Sequence, residues 1–283
     1  MSGKLIICPT PIGNLDDMPP RALAALRAAD VVCAEDTRVT GKLLAAFGIR
    51  TRLERLDENL MGERAASIIE RVRAGEVVAY CSDAGMPGVS DPGQRLVDAA
   101  LDAGISVEVL PGPTAVATAY VASGFTCPRF YFGGFFPRKS AERAQALAVA
   151  GALDAVALYY ESPHRIASAL ADVAQALPGR RVAVCRELTK LHEEVVRGPV
   201  ASVAEEFARR EAEGGVKGEI VLVLDAPSEE EREQEQRSAA ASAAERAVEL
   251  VSAGELSRKD IVKALRDEFG ISRNEAYDLV HAL

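Results

Sequence analysis

Val77-Val-Ala-Tyr-Cys-Ser-Asp-Ala-Gly-Met-Pro-Gly-Val-Ser-Asp-Pro-Gly93 is the stretch on which the fold turns. Val77 to Cys81 is an unbroken apolar run rich in β-branched residues, so it predicts a strand buried on both faces. Ser82 to Gly93 then holds three glycines and two prolines, and Gln94 to Ala103 has helical spacing. A buried strand, a Gly/Pro loop and a helix form the repeating unit of a largely parallel α/β sheet.

Outward from that stretch the same grammar recurs. Strands are expected at Leu5 to Cys8, Val31 to Ala34 and Ser106 to Leu110, with a helix at Arg21 to Ala28. A second series follows at Phe130 to Phe132, Ala155 to Tyr160, Arg181 to Cys185, Glu194 to Pro199 and Glu219 to Leu224. Between these lie helical segments at Ala141 to Ala150, Arg165 to Leu177 and Val203 to Glu213. The expected organisation is two consecutive α/β domains, 1–125 and 126–227, joined near Gly124 to Arg129. After Pro227 comes a glutamate-rich stretch that reads as a solvated linker or helix start. Ser257-x-x-Asp260 and Ser272-x-x-Glu275 are capping patterns, each opening a short helix around a turn at Phe269-Gly270-Ile271. Residues 228–283 are therefore an acidic linker and a helix-turn-helix-like tail.

Composition narrows the function classes. With 283 residues, 48% hydrophobic and 27% charged, the chain is globular in type, neither fibrous nor largely disordered. A net charge of -9 argues against non-specific binding of naked nucleic acid, so such a target would have to meet a local basic surface. No apolar run is long enough to span a bilayer, and Met1 to Cys8 is too short for a signal-peptide core, so no membrane association and a cytoplasmic location are expected. Cys8, Cys33, Cys81, Cys127 and Cys185 are scattered without a CxxC, and His164, His192 and His281 are not spaced to share an ion; neither a disulfide framework nor a metal site is expected.

Ligands of open α/β sheets bind beyond the carboxyl ends of the strands. Three loops there are dense in Gly and Pro: Pro9 to Asp17, Ser82 to Gly93 and Pro111 to Ala115. Neither GxGxxG nor GxxxxGK[ST] occurs, and the loops carry few cations. They suit a ligand held by backbone groups, a carboxylate and apolar side chains, such as an adenosine with an amino-acid tail.

Thr10 to Asp17, Ala34-Glu-Asp-Thr-Arg38, Ser82 to Pro87 with Ser90 to Gly93, Pro111-Gly-Pro113, Phe135 to Ser140, Tyr160 to Arg165, Arg186 to Lys190 and Lys217-Gly-Glu219 form an ordered series. It resembles the motif series of the small-subunit ribosomal RNA methyltransferases in the tetrapyrrole methylase superfamily, from about residue 4 to residue 225, and a tail of this type is also found there. The resemblance implies S-adenosyl-L-methionine (SAM) bound in a cleft between two α/β domains, a homodimer, and methyl transfer to the 2'-oxygen of a cytidine in small ribosomal subunit rRNA. By motif it assigns the cofactor to Pro11, Ile12, Gly13, Asp83, Gly85, Met86, Thr114 and Ala115, with Tyr160 and Glu161 closing over it. Where the resemblance implies a histidine-bearing stretch, this chain has Leu56-Asp57-Glu58-Asn59.

Methyl transfer to a ribose hydroxyl needs in-line positioning and a base or polarising group. The candidates are Glu35, Asp36 and Arg38, and Glu187 and Lys190, with the base itself unassigned; an ion pair of purely structural role competes for Asp36 and Arg38. For RNA, the segment Phe125 to Lys139 holds six aromatics, followed at once by Arg138 and Lys139, the composition of a stacking surface. Phe130 to Phe132 are expected in the core, and Phe136, Arg138 and Lys139 on the surface, extended by Arg165 and Arg186. Two other readings stay open: a small-molecule methylase acting on a tetrapyrrole, and a non-catalytic RNA-binding or ribosome assembly factor.

Overall fold

The computed structural model describes residues 3–254 and 256–283, so Met1, Ser2 and Glu255 lie outside the described residues. The chain separates into two compact units, Met1–Asp225 and Ala226–Leu283. The architecture is α/β, with two sheets in the first unit and a helical tail in the second.

The first sheet contains β1 (Lys4–Ile7), β2 (Val31–Ala34), β3 (Arg52–Arg55), β4 (Val77–Cys81) and β5 (Val107–Val109), in the order β3-β2-β4-β1-β5. Every pairing is parallel, as the strand-loop-helix grammar requires. Helices α1 (Pro20–Ala28) and α2 (Thr37–Ala46) cover one face, where Leu26 and Leu44 pack on Ile6, Val32 and Ala79. Helices α3 (Glu58–Arg73) and α4 (Gly93–Asp102) cover the other, where Met61, Ile68 and Leu96 pack on Leu5, Ile7, Val31 and Tyr80. Successive strand residues thus enter opposite cores, which is why these strands read as continuous apolar runs. Asp57, in the Leu56 to Asn59 stretch, caps α3 by accepting from the Leu60 N–H.

Helix α5 (Ala115–Ser123) follows the PGP loop and ends on Gly124 in the left-handed region. It packs on the second sheet, where Val116 and Ala119 meet Val156, Leu158, Ala183 and Val221. In packing terms the crossover therefore precedes α5, upstream of the joint expected near Gly124 to Arg129.

The second sheet holds β6 (Phe130–Phe135), β7 (Val156–Glu161), β8 (Arg181–Arg186), β9 (Glu194–Pro199) and β10 (Ile220–Leu224), in the order β6-β7-β10-β8-β9. Only β6 and β7 are parallel; β7 with β10, β10 with β8, and β8 with β9 are antiparallel. Strands β8 and β9 have only a short loop between them, too short for a crossover, so they form a hairpin and impose antiparallel order. Helices α6 (Ser140–Ala152), α7 (Ile166–Ala176) and α8 (Val200–Ala212) cover the face opposite α5.

The tail unit is three helices, α9 (Glu229–Ala253), α10 (Arg258–Phe269) and α11 (Arg273–His281). The glutamate-rich stretch is the first turns of α9, capped by Ser228, rather than a linker. Ser257 caps α10, and Ser272 with Glu275 forms the capping box of α11. Ala243, Ala247, Ile261, Leu265, Ala276 and Val280 make the core of this unit. No helix among the described residues is long and apolar enough to cross a membrane.

Candidate active site

A cavity of about 810 Å³ opens where the carboxyl ends of β2 and β4 face those of β7 and β8 and the start of β10. Three backbone loops frame its first wall. Thr10 N–H donates to the Gly85 carbonyl (2.9 Å) and Gly85 N–H returns the bond to Thr10 (3.1 Å), tying the first loop to the second. Gly85 sits at φ +80°, and a Cβ there would meet Ile12 Cγ2 at 3.2 Å and the Pro113 carbonyl at 3.4 Å, so all three loops converge on this one residue. Asp91 accepts from Gly88 and Gly93 N–H groups and holds the second loop in shape. Asp83 Oδ1 accepts from the Asp36 N–H (2.9 Å) and couples that loop to the end of β2.

The opposite wall comes from the second sheet. Tyr160 lines the cavity, wedged edge-on against Phe132 and Phe135; burial, together with Asp91 and Glu219, pushes its hydroxyl up to about 12. Glu161 is buried, paired with Arg165 and accepting from Ser162 N–H (2.5 Å). Its second oxygen, Oε2, and Arg165 Nη1 are buried without a hydrogen-bond partner among the described residues, as is Ser82 Oγ across the cavity. Ile12, Asp83, Gly85, Met86, Thr114, Ala115, Tyr160 and Glu161 all line the cavity. Pro11 and Gly13 do not. Gly13 is instead pressed against the β8–β9 loop, where a Cβ would stand 2.5 Å from Lys190 Cγ and 2.7 Å from Thr189 Oγ1.

The catalytic candidates divide in the same way. Glu35 lines the cavity, and its carboxyl is raised above the usual range by burial, with Asp83 and Asp91 adding repulsion. Asp36 caps α2 and holds Arg38 (2.6 Å) on the surface; that hydrogen-bonded guanidinium keeps its carboxyl well below the ordinary value. Glu187 and Lys190 belong to a network in which Lys190 Nζ donates to Glu187 (2.8 Å) and Glu219 (2.7 Å). That lysine lowers the Glu187 pKa. Burial opposes the Lys190 charge, but the hydrogen bonds to Glu187 and Glu219 outweigh it and raise its pKa. Of these five, Glu35 alone lines the cavity.

Glu35 has a testable pH signature. A carboxyl with a raised folded-state pKa contributes most to stability when protonated, and that contribution is lost as pH rises through the folded value. Glu35→Gln, which cannot ionise, should therefore gain thermal stability over the parent as pH is taken from about 4 to about 7. Melting curves of both proteins across that range check it; a difference that does not change with pH refutes the perturbed carboxyl.

The aromatic segment departs from expectation in two places. Phe136, expected on the surface, is 1% exposed and packs on Tyr159, whereas Phe130 and Tyr131, expected in the core, are exposed on the edge strand, as is Phe135. Strand β6 is an edge strand, and its register shifts between Phe132 and Phe135, which changes the face each later side chain takes and leaves Phe136 on the Tyr159 side of the sheet. Arg138 is exposed on the cavity rim. Lys139 is exposed but paired with Glu142 (2.9 Å). Arg165 lines the cavity bound to Glu161, and Arg186 is held by Glu194 (2.6 Å) away from it. The sequence assigned no role to Phe135, to the Gly218–Val221 segment at the start of β10, or to Ser90 and Asp91, all of which line the cavity. Most of these lie in the quoted motifs, so the signal was in the spacing while the direction of each side chain was not. Among the described residues, no group of three or more His, Cys, Asp or Glu is placed to hold a metal ion, and the five cysteines are unbridged.

Comparison with known proteins gives concordant matches. Residues 4–204 match the model of the tetrapyrrole (corrin/porphyrin) methylases. The chain is 37% identical to ribosomal RNA small subunit methyltransferase I of Halalkalibacterium halodurans, over 99% of this chain and 95% of the relative. It is 46% identical to the protein of that name from Mycobacterium tuberculosis, over 79% of this chain and 78% of the relative. Among solved structures, diphthine synthase superposes with a TM-score of 0.61 at 17% identity, covering 78% of this chain and 89% of its own. Uroporphyrin-III C-methyltransferase from Thermus thermophilus, complexed with S-adenosyl homocysteine, gives 0.55 at 18% identity, covering 79% and 97%. At these identities the structural matches speak to the fold.

Proposed function

Because this chain belongs to the tetrapyrrole methylase family, in its ribosomal RNA small subunit methyltransferase I branch, we propose that it methylates the 2'-oxygen of a cytidine ribose in small-subunit rRNA, with SAM as donor. The observation that carries the proposal is the cavity itself, in which three backbone loops of a parallel sheet face a buried glutamate and a rim arginine.

The residues present fit SAM. A cavity of about 810 Å³ lies within the range that encloses small ligands. The donor set matches an adenosine with an amino-acid tail: backbone groups around Gly85 and Thr114, the carboxylates of Asp83 and Glu161, the apolar side chains of Ile12 and Met86, and the unpaired Ser82 Oγ and Glu161 Oε2. When bound, SAM supplies an electrophilic methyl on a sulfonium. The chain's own part is to hold donor and acceptor in line and to exclude water, which Tyr160 and the closely packed loops accomplish from opposite sides. Glu35 is the cavity carboxylate with a raised pKa, suited to accept the ribose hydroxyl proton.

Purified protein, labelled SAM and small ribosomal subunits lacking their natural modifications should give labelled 2'-O-methylcytidine after nucleoside digestion. Methylation confined to a base, or none on the particle despite measurable SAM binding, would refute the proposal.

A further inference from the structure

Among the described residues, three side chains on the cavity rim make no hydrogen bond or ion pair and do not belong to the cradle described above. Phe135 is 64% exposed. Arg138 is exposed at the mouth, while its neighbour Lys139 is spent on Glu142. His164 is exposed on the loop after β7, its backbone N–H bonded to Ser162 Oγ (3.3 Å) and its ring unengaged. All three line the cavity.

The position of Phe135 is built into the strand. Gly133 lies flat on Tyr159, where a Cβ would come within 2.2 Å of the ring. Gly134 follows at φ +74°, in the left-handed region open to glycine. The register shift at this point turns Phe135 outward and sends Phe136 into the core. Tyr160 then holds the outward ring edge-on, with centroids 5.4 Å apart and planes at 68°. The result is an aromatic ring held rigidly by its own strand, largely open to the mouth, with an unpaired guanidinium three residues away. Sequence-tolerant recognition of an unstacked nucleotide uses this pairing of an aromatic platform with a phosphate-binding cation.

We infer that Phe135 and Arg138 form the acceptor-nucleotide subsite, in which an unstacked base of single-stranded RNA stacks on Phe135 and its phosphate pairs with Arg138, with His164 bounding the subsite from the β7 loop. The inference rests on the methyl-transfer reading above and adds to it the groups that select a nucleotide. Stacking explains why an aromatic is left exposed at a cavity mouth, and the unpaired Arg138 supplies local positive charge there on a chain of net charge -9.

The chain contains no tryptophan, so Phe135→Trp places a single fluorescent reporter on the platform. With S-adenosylhomocysteine present, titration with a single-stranded oligonucleotide of small-subunit rRNA sequence should quench its emission saturably. Phe135→Ala should lower kcat/KM for the RNA acceptor by about 5- to 100-fold, since a base-aromatic stack contributes about 1–3 kcal/mol, while SAM affinity measured by calorimetry stays within about twofold. Phe135→Tyr should restore most of the rate. Arg138→Gln should weaken RNA binding and reduce the slope of log affinity against log salt by about one. If the parent protein methylates RNA, but Phe135→Ala matches it and the Phe135→Trp emission is unmoved by RNA, the subsite is wrong and the methyl-transfer reading stands. Quenching by a free porphyrinoid and not by RNA would also overturn it. No methyl transfer by the parent protein to any small-subunit RNA takes down the reading and the subsite together.

Discussion

Glu161→Ala is expected to destabilise the Met1–Asp225 unit by about 3 kcal/mol, the lower end of the range for breaking a buried ion pair. The Glu161 side chain has no exposed surface, and it pairs with Arg165, whose side chain is 24% exposed. Alanine would leave that guanidinium against the end of β7 with only the Phe136 carbonyl (3.3 Å) to receive it. The Ser162 N–H would lose its acceptor as well. Partial exposure of Arg165 lets it reach water, which keeps the loss at the lower end. Chemical denaturation should show a lower midpoint for Glu161→Ala, a smaller shift for Glu161→Gln, and substantial recovery when Arg165→Met is added to Glu161→Leu. An unchanged midpoint for Glu161→Ala would mean that the pair contributes nothing.

The largest effect on activity is expected from Gly85→Val. Residue 85 lies at φ +80°, a region that costs a side-chain-bearing residue about 1–2 kcal/mol. The added atoms would also press on Ile12 and the Pro113 carbonyl, members of the other two loops. Relieving that contact must move at least one loop of the cradle, and a displacement of about 1 Å at a reacting centre can cost about 10²-fold in rate. SAM affinity and methyl transfer should therefore both fall, the latter by about 10²-fold or more, with the far-UV circular dichroism unchanged. Gly104→Val is the matched control, since Gly104 has φ +71° and a Cβ there would meet nothing within 4 Å. It bears the same backbone strain without touching the cradle, so it should lose some stability and keep its SAM affinity. Equal loss of SAM binding in the two variants would refute the role given to the loop contacts.

The contrast between the two sheets explains what the sequence could tell. In the first, strands such as Val31–Ala34 and Val77–Cys81 are buried on both faces and carry no charged residue, so composition and length alone located them. Strand β3, Arg-Leu-Glu-Arg, went unseen because it is an edge strand whose charged side chains reach solvent, and apolar patterning is silent there. Strand direction in the second sheet was also hidden, because helical segments surround most of its strands and suggest crossovers, while pairing partners are chosen by contacts remote in sequence. At the site, the residues of the loop motifs were legible as a set. Whether Asp36 faced the cavity or its own helix, and whether Phe135 or Phe136 faced outward, depended on a cap and a register shift that apolar patterning alone does not place.

The order of strands in the second sheet also bears on how the chain is made. In the first sheet the last strand to be synthesised, β5, joins at an edge, so the sheet can close once Val109 has left the ribosome's exit tunnel. In the second, the last strand is central: β10 alone joins the β6-β7 pair to the β8-β9 hairpin. Until Leu224 emerges, that half of the molecule is two separate strand pairs, each marginal by itself in water, with apolar faces open. During translation the first sheet should therefore acquire protease resistance early, while the second waits as an exposed, chaperone-accessible intermediate for its central strand.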